Sequence, residues 1–445
     1  MHTQNAEPTS GRKILKMNAF DVVAGHVRPS VSRRLRNTGA SSVLFYRQPI
    51  EAVSAERVWI TASGGERYLD IYNNVPVVGH NHPEVVEAVR AQMSKLNTHS
   101  RYISDVVDEY IDALKNKLPP ALSNVVLTCS GSEANDLALR IARSVSGGCG
   151  FVITENAYHG NTALVTDVSP AAWGGEGMPD YVVAVPAPSE KHFGHDIVGG
   201  FAAAVEQAIQ TLRKRDIKFA GFLADSIFSS DGVYTHPTGF LKPVVDIVHR
   251  NGGLYIADEV QPGFARTGEA FWGFERHGIE PDIVTMGKPM GNGFPVAGLA
   301  TRPDYLAAYC DHFGYFNTFG ATPAAAAAAM ATLTIIDRDK LQANALEVGH
   351  YMKQGLQRIS RTSNRAGAVR GVGLFLAIDL CASGEEDQPD TEFALNVVDA
   401  LRERLILTGT SGKYGSTLRV RPPLCLTQEE ADIFLINLED VLTSV

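Results

Sequence analysis

The chain has 445 residues, 44% of them hydrophobic and 20% charged, with a formal net charge of −9. That length allows one large α/β domain with a smaller companion. The acidic balance argues against a nucleic-acid footprint or a polybasic membrane patch, but not against a local cationic pocket.

The N-terminus, "MHTQNAEPTSGRKILKMNAF", lacks a continuous apolar core, so no secretory signal is expected. Five cysteines (Cys129, Cys149, Cys310, Cys381, Cys425) are widely spaced, with no C-x-x-C pair and no clustered histidines. They read as reduced, buried thiols in a cytoplasmic protein with no metal site. The stretch "VSAERVWITASGGERYLDIYNN" resembles a β-meander, and residues 1–70 are assigned to a small domain.

Residues 71–330 are assigned to a large domain. Within it, short apolar runs recur at 125–129, 151–154, 181–186, 221–225, 254–258, 282–286 and 296–301. Continuous rather than alternating runs suggest strands covered on both faces. Helix-like segments such as "EANDLALRIARSV" and "LKPVVDIVHRN" lie between several of them, which predicts crossovers and a mostly parallel seven-stranded sheet. The alanine-rich stretch 321–336 reads as a packed helix, not a membrane span.

Residues 331–445 change texture. A long amphipathic helix, a polar stretch "CASGEEDQPDTEF", the strands "GLFLAIDL" and "TLRVRPPL", and a last helix with a Thr427/Glu430 capping box suggest an α+β unit. It is expected to join the N-terminal segment in one discontinuous small domain.

In an open parallel sheet, ligands gather beyond the carboxyl ends of the strands. There the sequence places "SGSE" (130–133), Tyr158 and His159, Asp225, Asp258 with Gln261, and Lys288. The turn with Gly131 and Ser132 opens a helix and could hold a phosphate on its N–H groups, although Ser130 and Glu133 also form an S-x-x-E capping box that needs no ligand. Asp258 could hold a ring nitrogen protonated or merely cap a turn, and Tyr158 could stack on a ring or simply pack. Lys288 could snorkel to solvent; desolvated, it would be a nucleophile toward carbonyls. Together these four features are what pyridoxal phosphate (PLP) requires.

Over nearly its whole length the sequence resembles the class III aminotransferases of the fold-type I PLP superfamily. The motifs that carry this are "SGSEANDLALRIAR", "AYHG", "IADEVQPGFARTG", "TMGKPMGNGFPVAG", "FNTFGATP" and "LRVRPPL". The resemblance implies that Lys288 forms the Schiff base and shuttles protons, Asp258 holds the pyridine nitrogen and Gln261 sits near the phenolic oxygen. It further implies that Tyr158 stacks on the ring, Gly131 and Ser132 bind the phosphate, and Asp225 belongs to the cofactor site. Thr318 would complete the phosphate site of a neighbouring subunit, making an obligate homodimer with shared active sites that could pair into a tetramer.

Within the family, "YNNVPVVGHNHP", "LNTHSRYI" and "YFNTFG" resemble the ethanolamine-phosphate phospho-lyase branch. Asn73 and Asn74 stand where transaminases usually carry small residues, and would offer donors to substrate oxygens. Arg419 matches the arginine that binds an α-carboxylate, and Arg421, two residues on, could face the same side and bind the same anion, or serve a salt bridge. Arg266 is a third candidate, equally able to be structural. Asp225-Ser226 replaces the Glu-Pro of many members, and the shorter carboxylate would leave Arg419 less neutralised.

These features lead to an expected PLP-dependent phospho-lyase acting on a small phosphorylated amine, most simply O-phosphoethanolamine. The alternatives are a class III ω-aminotransferase and, from another class, a non-catalytic α/β binding protein. The absence of G-x-x-x-x-G-K-[ST] and G-x-G-x-x-G fingerprints lowers the last.

Overall fold

A computed structural model describes residues 28–173 and 177–444. The N-terminal stretch at 1–20, with the start of the segment assigned to 1–70, lies outside the described residues. After a helix at Pro29–Thr38, strands β1 (Ala52–Glu56), β2 (Trp59–Ala62) and β3 (Arg67–Asp70) form the expected antiparallel meander.

Each of the seven apolar runs is a strand: β4 (Asn124–Thr128), β5 (Gly150–Thr154), β6 (Val182–Val185), β7 (Phe219–Asp225), β8 (Leu254–Asp258), β9 (Ile283–Met286) and β10 (Ala297–Thr301). They pair in the order β4-β10-β9-β8-β7-β5-β6. Only β10 runs against the rest, because it pairs antiparallel with both β4 and β9. The carboxyl ends of the other six and the amino end of β10 therefore share one edge. Strands β5, β8, β9 and β10 are buried at every position, as sheets covered on both faces require. The order turns back between β5 and β7, the kind of switch point where α/β sheets open a crevice.

The alanine-rich stretch is the helix Pro323–Arg338, with proline at its first turn and Ala324 to Ala329 buried. Small side chains let it pack against the helix Pro83–Met93. Among the described residues no helix is long and apolar enough to cross a membrane.

Toward the C-terminus lie β11 (Ala366–Val372), β12 (Phe375–Ala382), β13 (Glu385–Pro389), β14 (Ile406–Leu407), β15 (Gly409–Ser411) and β16 (Thr417–Val420). The polar stretch after Cys381 is a hairpin, β13 folding back on β12. The pair β14 and β3 runs parallel, with Ile406 opposite Leu69, so a C-terminal strand extends the N-terminal meander. The Thr427/Glu430 box is closed in both directions: Glu430 N donates to Thr427 Oγ1 at 3.2 Å, and Thr427 N to Glu430 Oε2 at 3.0 Å. The cysteines are all unpaired, but only Cys381 is fully buried; Cys149 and Cys310 are exposed, correcting the expectation of buried thiols throughout.

Candidate active site

The shared edge of the sheet opens into a cavity of about 300 Å³. Its lining includes Gly131 and Ser132 after β4, Tyr158 to Gly160 after β5, Asp225 ending β7, Asp258 and Gln261 at β8, and Lys288 after β9. Strand pairing brings these residues together: in register Asp225 stands beside Asp258, and Asp258 beside Thr285.

The carboxylate of Asp258 is oriented from three directions. Its Oδ2 accepts from His159 Nδ1 at 2.7 Å and from Asn135 Nδ2 at 3.0 Å, and its Oδ1 from the Val260 amide at 3.0 Å. Asn135 is fixed in turn, accepting from Thr285 Oγ1 at 2.6 Å. Glu259, next along the chain, faces the opposite way and accepts from the Gly273 and Phe274 amides. Burial pushes the Glu259 carboxyl up to about 8, and the residue does not line the cavity.

At the helix Gly131–Ser146, Ser130 Oγ accepts from the Glu133 amide at 3.3 Å, and Glu133 Oε2 accepts from the Cys129 amide at 2.9 Å. The cap is real, and it engages the Glu133 amide but not those of Gly131 and Ser132. Gly160 adopts φ +143°, and a Cβ there would stand 2.4 Å from Ser132 Oγ. A Cβ on Gly131 would stand 2.9 Å from Val260 Cγ2. Both glycines keep this cradle open where any side chain would fill it.

Lys288 is partly exposed to the cavity. Burial and then the nearby Arg421 charge lower its ammonium to about 8, with Arg419 adding to the effect and Asp258 and Asp225 opposing it. Roughly a tenth is thus free amine at pH 7, far more than an ordinary lysine offers. Asp225 is held up by burial against hydrogen bonds from the Ile227 and Ser229 amides and the Ser229 hydroxyl.

Arg266, Arg419 and Arg421 are all more than nine-tenths buried, and among the described residues none forms an ion pair. Arg419 Nη2 donates to the Thr410 carbonyl at 3.1 Å; Arg266 Nη1 donates to the carbonyls of Leu374 and Pro422. Arg421 Nη1 donates to Asn74 Oδ1 at 2.9 Å and to Gln261 Oε1 at 2.6 Å. Arg266 Nη2, Arg419 Nε and Arg421 Nε find no acceptor. Burial, then repulsion from Arg421, lowers Arg419 to about 10 and Arg266 to about 9, which still leaves both charged at neutrality.

The two asparagines part ways. Asn73 donates through its amide and its Nδ2 to Asp70, which also accepts from His80, so it braces a turn. Asn74 is buried against Arg421 and Gln261. Thr318 is exposed and outside the cavity of this single chain, between the exposed Phe316 and Phe319.

Sequence reading assigned no role to Asn135, His159, Tyr72 or Gly160. His159 and Gly160 adjoin Tyr158 in one motif, and Asn135 is a polar residue on an otherwise apolar helix face; these were the available signals. Tyr72 had none. Its phenol would rise on burial, but the Arg421 and Arg419 charges outweigh that and hold it below its ordinary value.

The sequence matches the aminotransferase class-III family over residues 45–442. The chain belongs to the class III aminotransferases. A phospholyase from Arthrobacter, solved in complex with phosphoethanolamine, is 39% identical with a TM-score of 0.90, covering 94% of this chain and all of that one. An alanine–glyoxylate aminotransferase 2-like protein of Drosophila melanogaster is 36% identical across 94% of this chain and 87% of its own length. Ethanolamine-phosphate phospho-lyase homolog 1 of Caenorhabditis elegans is 32% identical across 93% of both. The fold is fold-type I and the family's cofactor is pyridoxal 5′-phosphate. The cavity fits that cofactor by its own chemistry: a glycine-lined helix N-terminus, a buried carboxylate and an amine of lowered basicity line one space.

Proposed function

We propose that this class III enzyme is a phospho-lyase that converts a phosphorylated amino alcohol, most simply O-phosphoethanolamine, with water into acetaldehyde, ammonia and inorganic phosphate. The observation that carries this reading is the buried group Arg266, Arg419 and Arg421, which among the described residues has no ion-pair partner and three guanidinium nitrogens without an acceptor. Unpaired buried cations are costly, and a dianion arriving with the substrate would supply both the charge and the acceptors.

In this reading Lys288 would hold the cofactor and, as a free amine, would move the proton at the substrate carbon beside the nitrogen. Gly131 and Ser132 would hold the cofactor phosphate, Tyr158 would stack on the ring, Gln261 would serve the phenolic oxygen, and Asp225 would bound the pocket. Asp258, oriented by His159 and Asn135, would keep the ring nitrogen protonated. When bound, the cofactor withdraws electrons from the substrate carbon. Cations at the neighbouring carbon favour loss of phosphate by stabilising its developing charge. Thr318, exposed between Phe316 and Phe319, is proposed to serve the site of a second copy in a homodimer. Five unpaired cysteines suit a reducing compartment such as the cytoplasm.

The second reading is an ω-aminotransferase. It is favoured by the likeness to an alanine–glyoxylate aminotransferase 2-like protein and by Arg419 at the carboxylate-binding position. The deciding experiment is phosphate release from phosphoethanolamine with no 2-oxo acid present. Stoichiometric phosphate and acetaldehyde support the lyase; no phosphate, with amine transfer to pyruvate proceeding, overturns it.

A further inference from the structure

Arg421 is more than nine-tenths buried, and its Nη1 donates to two uncharged amides, those of Asn74 and Gln261. Asn74 Nδ2 donates to Gln261 Oε1 at 3.1 Å, so Asn74 and Gln261 brace one another while both accept from the same Nη1. Gln261 is held from behind, its Nε2 donating to Ser229 Oγ at 2.7 Å. These bonds orient both amides with oxygen toward the guanidinium. The face of Tyr72 lies under it, 4.4 Å from ring centre to Cζ, and burial of the Tyr72 phenol is outweighed by the Arg421 and Arg419 charges, which hold it below its ordinary value. The arginine is thereby fixed on one edge without being neutralised, and among the described residues its Nε finds no acceptor.

A carboxylate in place of either amide would hold the guanidinium equally well geometrically, and would cancel its charge. We infer that Asn74 is a specificity-determining positioning residue: it fixes Arg421 while preserving its full positive charge, so that the site selects a dianionic phosphate over a monoanionic or uncharged substituent. This inference rests on the proposed phosphate-bearing substrate, and it deepens that reading by naming the residue that tunes the anion site through Arg421.

The test uses holoenzyme, in which the cofactor's own phosphate occupies the turn at Gly131 and Ser132, and titrates inorganic phosphate and acetate calorimetrically. In Asn74→Asp the phosphate dissociation constant is expected to rise about tenfold or more, because a carboxylate beside Arg421 cancels attraction in a poorly screened site. Acetate binding should change by less than about threefold, and Asn74→Ala, which removes an acceptor but adds no charge, should retain phosphate binding within about threefold. Gln261→Glu brings the same charge from the other side and must weaken phosphate likewise, which keeps the test open if Asn74→Asp does not fold. Equal losses in Asn74→Ala and Asn74→Asp, or unchanged phosphate binding in both acidic variants, overturn the inference. Phosphate binding is read independently of turnover, so a wild type that binds phosphate charge-dependently but releases none from phosphoethanolamine defeats the lyase reading alone.

Discussion

His159 Nδ1 lies 2.7 Å from Asp258 Oδ2, both side chains almost wholly buried. Because a carboxylate can only accept, the Nδ1 atom carries the proton and the ring is locked in one orientation. His159→Phe keeps the bulk and removes the donor. A hydrogen bond to a charged group contributes about 1.5–3 kcal/mol. The proton-abstraction step should therefore slow roughly ten- to hundredfold, seen in single-turnover absorbance traces. A change of less than about twofold would show that Asp258 does not depend on it.

Asn135 couples Asp258 to Thr285 across the sheet. Asn135→Leu and Thr285→Val each strand a buried partner and should each cost about 1–3 kcal/mol in denaturant unfolding. The double variant should cost less than the sum, with a coupling of about 1 kcal/mol or more. Strict additivity would deny that the pair acts as a unit.

Gly160 combines φ +143° with a Cβ position 2.4 Å from Ser132 Oγ. In Gly160→Ala either the loop or the helix start must shift, at about 1–3 kcal/mol. The shift distorts the proposed phosphate turn, so cofactor dissociation measured by dialysis and absorbance should accelerate more than global unfolding does. Wild-type cofactor retention would place the phosphate elsewhere.

Lys288 supplies a pH signature. Its ammonium falls from the ordinary 10.5 to about 8 in the folded chain, with burial and then Arg421 as the leading causes. In apoprotein, the rate of covalent cofactor capture should rise with pH through a midpoint near 8, and Arg421→Gln should move that midpoint upward. Between about 8 and 10.5 the unfolded chain keeps a proton that the folded chain has lost. Apoprotein stability therefore gains from this residue as pH rises across that window, and Lys288→Met should remove the gain. A midpoint unmoved in Arg421→Gln would break the assigned coupling.

Lys288→Ala should abolish the covalent link and its visible absorbance while leaving the far-ultraviolet dichroism unchanged. A variant that still forms a borohydride-reducible adduct would assign the link to another amine.

Local pattern alone determined a good deal about this protein. Seven continuous apolar runs specified the seven strands, because a strand covered on both faces has no polar alternation to hide. The Thr427/Glu430 cap and the cap at Ser130 were legible for a similar reason: their partners are three residues apart. Gly131, Ser132, Tyr158, Asp225, Asp258, Gln261 and Lys288 all lie at or just beyond strand ends, and a parallel sheet gathers such ends at one edge.

Only the tertiary structure decided what distant residues do to one another. Asn73 and Asn74 are identical neighbours in sequence, yet one braces the Asp70 turn and the other meets Arg421, 347 positions away. His159 and Asn135 reach Asp258 from 99 and 123 positions away. Tyr72 lies beneath a guanidinium that no motif connects to it. Periodicity and capping report contacts within a few residues, whereas the charge state of a buried cation depends on every group packed around it, and packing is a property of the folded chain.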